Sequence, residues 1–183
     1  MIRLAALAAG LAALLGLAGC ASLSEDACRA GDWEGIGFRD GAAGRSEARL
    51  ADHAEACAKI GVTPDAARWR AGRAEGLKLY CTQANAFDLG TRGDRLAPVC
   101  PAAQASALAR ANERGLRAHD LDREIDRIDA EIAARNRDMD KLLDGEVDRK
   151  ARRLIRAYRE EIARAERTRR VLERERAGYA RPV

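Results

Sequence analysis

Between residues 104 and 177 the chain contains no proline, and its apolar residues recur in steps of four and three. Leu121, Ile125, Ile128, Ile132, Arg135, Met139 and Leu142 form one such series, with a single arginine interrupting it. Ala151, Ile155, Tyr158, Ile162, Ala165, Arg169 and Leu172 form a second. Alternating steps of this kind keep one stripe of a helix turned toward a partner, which is the seam of a coiled coil. Between Leu142 and Ala151 the spacing slips, and Asp144-Gly145 lies in the gap. A slip at glycine predicts a turn, so residues 119–177 read as an antiparallel helical hairpin folded near Gly145, in which one chain buries both seams. The alternative is a single continuous rod with a stutter, which needs a partner helix.

Upstream, the pattern is helical but punctuated by glycine. Asp32 is placed to cap a first helix, Trp33 to Ala43, by accepting a hydrogen bond from an orphan backbone N–H. Ser46 to Ile60 reads as a second helix, with Leu50, Ala54, Cys57 and Ala58 at helical spacing and Gly61 stopping it. Thr63-Pro64-Asp65 opens a third, with threonine as the cap and proline in the first turn, running to about Cys81. Residues 82–100 show no helical period, hold two glycines and Pro98, and read as a loop. The whole is expected to be all-α: a small glycine- and cysteine-rich helical domain over 32–118, then the coiled-coil hairpin, then a tail over 178–183.

The first nineteen residues stand apart. Arg3 precedes an apolar stretch from Leu4 to Leu17 broken only by glycine, followed by Ala18-Gly19-Cys20. A charged start, a short apolar middle and small residues at the end make residues 1–19 a secretory signal peptide. The stretch is too short for a membrane span, which needs roughly 20 apolar residues. Leu17-Ala18-Gly19-Cys20 resembles the lipobox of bacterial lipoproteins, which implies lipidation of Cys20 and removal of the signal. The resemblance also implies that Ala21, rather than an aspartate, directs the protein to the outer membrane. Residues 20–31 then form a lipidated start and linker. An ordinary secreted protein with a chance cysteine at the cut is the alternative.

Composition narrows the partners. The 33 cationic and 29 acidic side chains are interspersed, and losing Arg3 with the signal removes one of the former. Although the isoelectric point is near 9.0, no cationic face of the kind phosphate backbones require is evident, and nucleic acid is not an expected partner. Aromatic residues make up only 4% of the chain, so the core must be thin. With Cys20 assigned to lipid, Cys28, Cys57, Cys81 and Cys100 remain, an even number suited to disulfides in an oxidising compartment. Four cysteines allow three connectivities; Cys28–Cys57 with Cys81–Cys100 is preferred, because sequential helical hairpins bring those ends together and the second bridge closes the loop at 82–100. A metal site is the rival reading, but neither Cys-x-x-Cys nor His-x-x-x-His spacing occurs.

Two segments resemble each other: Trp33-x-x-x-Gly37-x-x-x-Gly41-x-x-Gly44 and Trp69-x-x-Gly72-x-x-x-Gly76-x-x-x-Tyr80-Cys81, with a third trace at Ala111-x-x-x-Gly115. Glycines four apart share a helix face and make a shallow groove. Each costs about 1 kcal/mol against alanine in a helix, so their repetition implies compensating close packing. Either another helix fills the groove, or it takes a ligand or glycan between Trp33, Trp69 and Tyr80. At these residues the chain resembles the bacterial lipoprotein family known as domain of unknown function 2799. The resemblance rests on Asp32-Trp33-x-x-Ile36-Gly37-x-x-Asp40-Gly41-x-x-Gly44, Cys57-x-x-x-Gly61, Gly72-Arg73-x-x-Gly76-Leu77-x-x-Tyr80-Cys81, and Gly90-x-x-Gly93 leading to Val99-Cys100-Pro101. It spans about residues 28 to 118, departing at Trp69, where tyrosine is expected, and in the long hairpin. It implies an envelope location and carries over no catalytic residue.

Signals of chemistry are sparse. His53 and His119 are not at ligand spacing and read as solvated side chains. No nucleophile elbow, phosphate loop or zinc-protease sequence occurs. Asp32 and Asp40 could act as paired carboxylates, but Asp32 is a cap and Asp40 is suited to pairing with Arg73 or another cation. The expectation is a non-enzymatic envelope lipoprotein without cofactor, held to the periplasmic face of the outer membrane by lipid on Cys20. Its hairpin would meet an envelope protein or peptidoglycan. The alternative is a lipid-anchored periplasmic hydrolase or glycan-binding module using Asp40 or Glu75 beside an aromatic groove.

Overall fold

Residues 22–179 are described by the structure, a computed structural model, so the expected signal peptide and Cys20 lie outside the described residues. The regular elements are the helices α1 (Glu25–Ala30), α2 (Trp33–Ala42), α3 (Arg49–Ala58), α4 (Ala66–Tyr80), α5 (Gln83–Thr91), α6 (Ala102–Leu143) and α7 (Arg149–Ala177). The chain divides into two units after Tyr80, inside the span 32–118 that the motifs join. The expected all-α architecture, with its glycine-rich helices and long C-terminal helical region, is what forms.

In the first unit, Ser24 starts α1 by accepting from the Ala27 amide at 3.2 Å, and Gly31 ends it in the left-handed conformation at φ 64°. The stretch expected as a linker therefore includes a helix, and its Cys28 is buried. Asp32 caps α2 as expected, accepting from Gly35 N at 3.0 Å. α4 begins later than the Thr63-Pro64 signal suggests, because Asp65 supplies the cap, accepting from Arg68 N at 3.0 Å. Cys28, Trp33, Ile36, Cys57 and Trp69 form the core, with Leu50, Ile60 and Val62 against it. Burying each large apolar side chain contributes about 1.5–3 kcal/mol, so this small cluster needs its staple.

The glycines decide how α2 meets α4. A Cβ on Gly37 would collide with the Trp69 carbonyl, one on Gly41 with the Arg73 carbonyl, one on Gly72 with the Glu34 carbonyl and one on Gly76 with the Phe38 carbonyl. The two backbones touch along their length. Residue numbers rise together across the contact, Glu34 facing Gly72 and Phe38 facing Gly76, so the helices run in the same direction. The connection through α3 returns the chain to the starting end. This corrects the expectation of sequential antiparallel hairpins.

The second unit repeats the design. Residues 83–91, expected to be part of a loop, form α5, with Thr82 accepting from Asn85 N at 3.1 Å as its cap. Gly90 abuts the Asn112 carbonyl and Gly115 the Phe87 carbonyl. Gly41 stands to Arg73 and Leu77 as Gly90 stands to Asn112 and Leu116, and Gly76 stands to Phe38 as Gly115 stands to Phe87. The correspondence continues into the turns. Gly44 and Gly93 both have positive φ, 69° and 84°, with the rings of Tyr80 and His119 respectively against them. Arg73 Nε donates to the Arg45 carbonyl at 2.8 Å, and Asn112 Nδ2 donates to the Asp94 carbonyl at 2.9 Å. The structural repeat is therefore α2 with α5 and α4 with α6; the Trp33 and Trp69 segments, which resemble each other in sequence, are packing partners. Residues 92–101 make the return without a helix, through turns at 92–93 and 98–99 joined by irregular chain, which is long enough to cover a helix as short as α5.

α6 runs unbroken from this pair into the hairpin, without a break near residue 118. Asp122–Arg176, Asp129–Arg169 and Arg135–Glu161 link α6 to α7, one number falling as the other rises, so the two are antiparallel, and Arg117–Glu175 adds a further link near the open end. Every position of both seams is buried or half-buried. The two seam arginines are accommodated by charge and ring faces: Arg135 lies 5.6 Å above the Tyr158 ring and donates to Glu161 at 2.6 Å, and Arg169 donates to Asp129 at 2.8 Å. Those hydrogen bonds raise both guanidinium pKa values above the ordinary one, so both stay charged.

Candidate functional site

Both pairs of cysteines join as preferred from sequence, Cys28 with Cys57 and Cys81 with Cys100, each at a Cα separation of 5.6 Å. Each bridge lies inside one unit: Cys81–Cys100 ties together the starting ends of α5 and α6, whereas Cys28–Cys57 joins α1 to α3. On a loop-closure estimate each contributes about 3–4 kcal/mol by restricting the unfolded chain. Cys28 and Cys57 are buried, whereas Cys81 and Cys100 are half-exposed.

The candidate groove is closed. Gly37, Gly41, Gly72 and Gly76 are covered by the partner backbone, and Trp33, Trp69 and Tyr80 are core residues no more than 6% exposed. Close packing is thus the use of the glycine motif, and these rings wall no opening.

The polar residues of the first unit converge on Asp40 instead. Its Oδ2 accepts from Trp69 Nε1 at 2.9 Å and lies 2.8 Å from His53 Nε2, while Arg49 Nε stands 3.9 Å from Oδ1. His53 Nδ1 is 2.8 Å from Ser22 Oγ. With a carboxylate as its acceptor, Nε2 donates, and Nδ1 of that tautomer accepts the serine hydroxyl. His53 is therefore a fully buried bridge, 1% exposed, and not the solvated side chain expected. Arg73, expected as a partner for Asp40, turns to the Arg45 carbonyl and to Glu47 at 3.3 Å.

Serine, histidine and aspartate in hydrogen-bonded series invite comparison with a hydrolase triad, but the roles are reversed. In that machinery Nε2 serves the nucleophile and Nδ1 the carboxylate. Here Nε2 serves Asp40, whose same oxygen is already held by an indole, and the ring is sealed from solvent. The arrangement is suited to fastening residue 22 to the domain.

Two surface clefts lie elsewhere. One of about 380 Å³ in the first unit gathers Asp32, Glu34, Glu75, Arg68 and Phe38. It takes in neither Asp40 nor the tryptophans, and Glu75 is engaged by Lys78 at 2.7 Å. The other, of about 510 Å³, lies beside Arg117, His119, Arg123, Glu124 and Leu172. His119 is half-buried, with Nδ1 3.1 Å from the Thr91 carbonyl. Among the described residues no group of three or more metal-binding side chains forms, and no helix is long and apolar enough to cross a membrane.

The remaining feature is electrostatic and was missed in the interspersed composition. Arg149, Lys150, Arg152, Arg153, Arg156 and Arg159 follow one another in α7 with no acidic residue among them. All six are exposed, and among the described residues none joins an ion pair. At about 100° per residue they sweep roughly half the helix circumference, opposite Ala151, Ile155 and Tyr158. Like charges three or four apart cost about 0.2–0.5 kcal/mol each, and cations oppose the positive end of the helix dipole. These roughly three turns of helix carry that repulsion at an end capped by Asp148.

Two glycine-mated helix pairs, each stapled by its own disulfide and the second prolonged into a hairpin, define a class of small all-α bridged domain. Residues 32–117 match the model of the family described as Protein of unknown function (DUF2799). The matched segment runs from the cap of α2 to just past Gly115, so it takes in both helix pairs. Comparison with curated proteins and with solved structures finds no match.

Proposed function

We propose that this chain is an envelope lipoprotein, acylated on Cys20 and carried on the periplasmic face of the outer membrane, with a structural or protein-interaction role and no catalytic activity. One observation carries the reading. Ser22, two residues beyond Cys20, is tied into the domain through buried His53 and Asp40. A lipid-bearing residue so close to a fastened one acts as a short mount rather than a free leash. The reading is further supported by the commitment of Asp40 to internal hydrogen bonds and of the aromatic rings to the core, which leaves the hydrolase alternative without a site that joins them. The hairpin supplies an extended charged surface for a partner in the envelope.

Metabolic labelling with palmitate, followed by membrane fractionation, tests the anchor. The parent chain is expected to carry label and to sediment with outer membrane, and the Cys20→Ser chain to lose both. An unlabelled parent, or identical fractionation of the two, would sink the proposal.

A further inference from the structure

We infer that the outward face of the first half of α7, from Arg149 to Arg159, docks on an anionic phospholipid surface. The inference deepens the interaction role proposed above by naming a partner chemistry, but it stands on its own observations. Further along α7 three arginines are paired, Arg169 with Asp129 and Glu173, Arg170 with Glu166 and Arg176 with Asp122, and the others alternate with Glu160, Glu161, Glu166, Glu173 and Glu175. The first half has no such partners. Its six cations crowd the start of a helix where repulsion and the helix dipole both disfavour them. An external negative charge would relieve that repulsion, which the Asp148 cap and the buried Ala151 and Ile155 otherwise offset.

The shape of the patch selects among anions. A convex half-cylinder of exposed cations does not enclose a discrete ligand, whereas a surface of mobile phosphates can meet several of them at once, the long side chains at its edges reaching toward it. Five of the six are arginines, whose planar forks take phosphate oxygens in pairs. The apolar face is not available for insertion, because Ala151 and Ile155 are buried within the hairpin. Exposed Leu154 and, across the turn, Leu143 are the apolar groups left to touch the headgroup boundary. Adsorption is therefore electrostatic and fades with salt.

Vesicle co-sedimentation tests this with the chain from Ala21, which keeps every described helix and both disulfides and has no acyl group, so the outcome is independent of the fate of Cys20. Binding is expected to vesicles of phosphatidylethanolamine with phosphatidylglycerol, and not to vesicles of phosphatidylethanolamine with phosphatidylcholine. It should weaken steeply as salt is raised. The triple variant Arg152→Gln, Arg153→Gln, Arg156→Gln should bind at least about tenfold more weakly while melting no lower than the parent. The matched triple Arg164→Gln, Arg167→Gln, Arg170→Gln, with the same net charge, should keep most of the binding. Equal loss in both triples, or no binding to anionic vesicles at low salt, overturns the inference. Patch-dependent sedimentation with peptidoglycan sacculi and none with anionic vesicles overturns it as well, in favour of a glycan partner.

Discussion

Asp40 is the residue on which most of the polar interior of the first unit converges, and it was invisible as such in the sequence. Its partners are 13 and 29 positions away, and Ser22 is 31 from His53. No local spacing signals a contact made between elements. Asp40→Ala would leave an indole N–H and an imidazole buried without their acceptor, with an expected loss of about 2–4 kcal/mol in thermal or denaturant unfolding. Asp32→Ala, which removes an exposed cap, should cost only about 1 kcal/mol. If the two substitutions prove equally mild, the buried network is not what stabilises this unit. Asp32 was legible because a cap needs only its own next few residues.

At the scale of the element, legibility followed the length of the periodic signal. Two seams of seven positions each survived an arginine apiece, because the remaining positions still outvoted the exception. α5 was lost in the opposite way. It is nine residues long, includes Gly90, and borrows its stability from the face of α6. The glycine motif was read correctly as a packing device, but the likeness of its two segments did not reveal that they pack on each other, since a sequence cannot distinguish the two sides of one contact from two repeats of it. Gly76→Ala and Gly115→Ala, each forcing a methyl into a facing carbonyl, should destabilise by about 3 kcal/mol. Gly145 is the contrast: it lacks positive φ and has only the Lys141 carbonyl at 4.0 Å, so Gly145→Ala should be neutral or stabilise by up to about 1 kcal/mol. Circular-dichroism melts of the three variants decide between these outcomes, and a harmless Gly115→Ala would undo the equivalence of the two pairs.

For the whole molecule, the arrangement of two bridged units predicts an order of reduction. The half-exposed Cys81–Cys100 bridge should open first under mild thiol, with Cys28–Cys57 persisting until the first unit unfolds. Alkylation and mass mapping of partly reduced protein would read this directly, and simultaneous release of all four thiols would refute it. The division at Tyr80 escaped the sequence reading because the family motifs run across it without interruption. The hairpin, by contrast, declared itself through its apolar spacing, although the concentration of its positive charge in one short stretch was hidden by the near balance of the total.

If the chain is exported and acylated on Cys20 as proposed, the nesting of each bridge within its own unit also bears on how it leaves a translocation channel. Emerging amino end first, it presents its thiols in the order in which they pair, so a donor of oxidising equivalents that joins successive cysteines makes only native links. A cell lacking the enzyme that reshuffles wrong bridges should therefore secrete this protein as well as a normal cell does. One lacking the primary oxidant should accumulate it reduced.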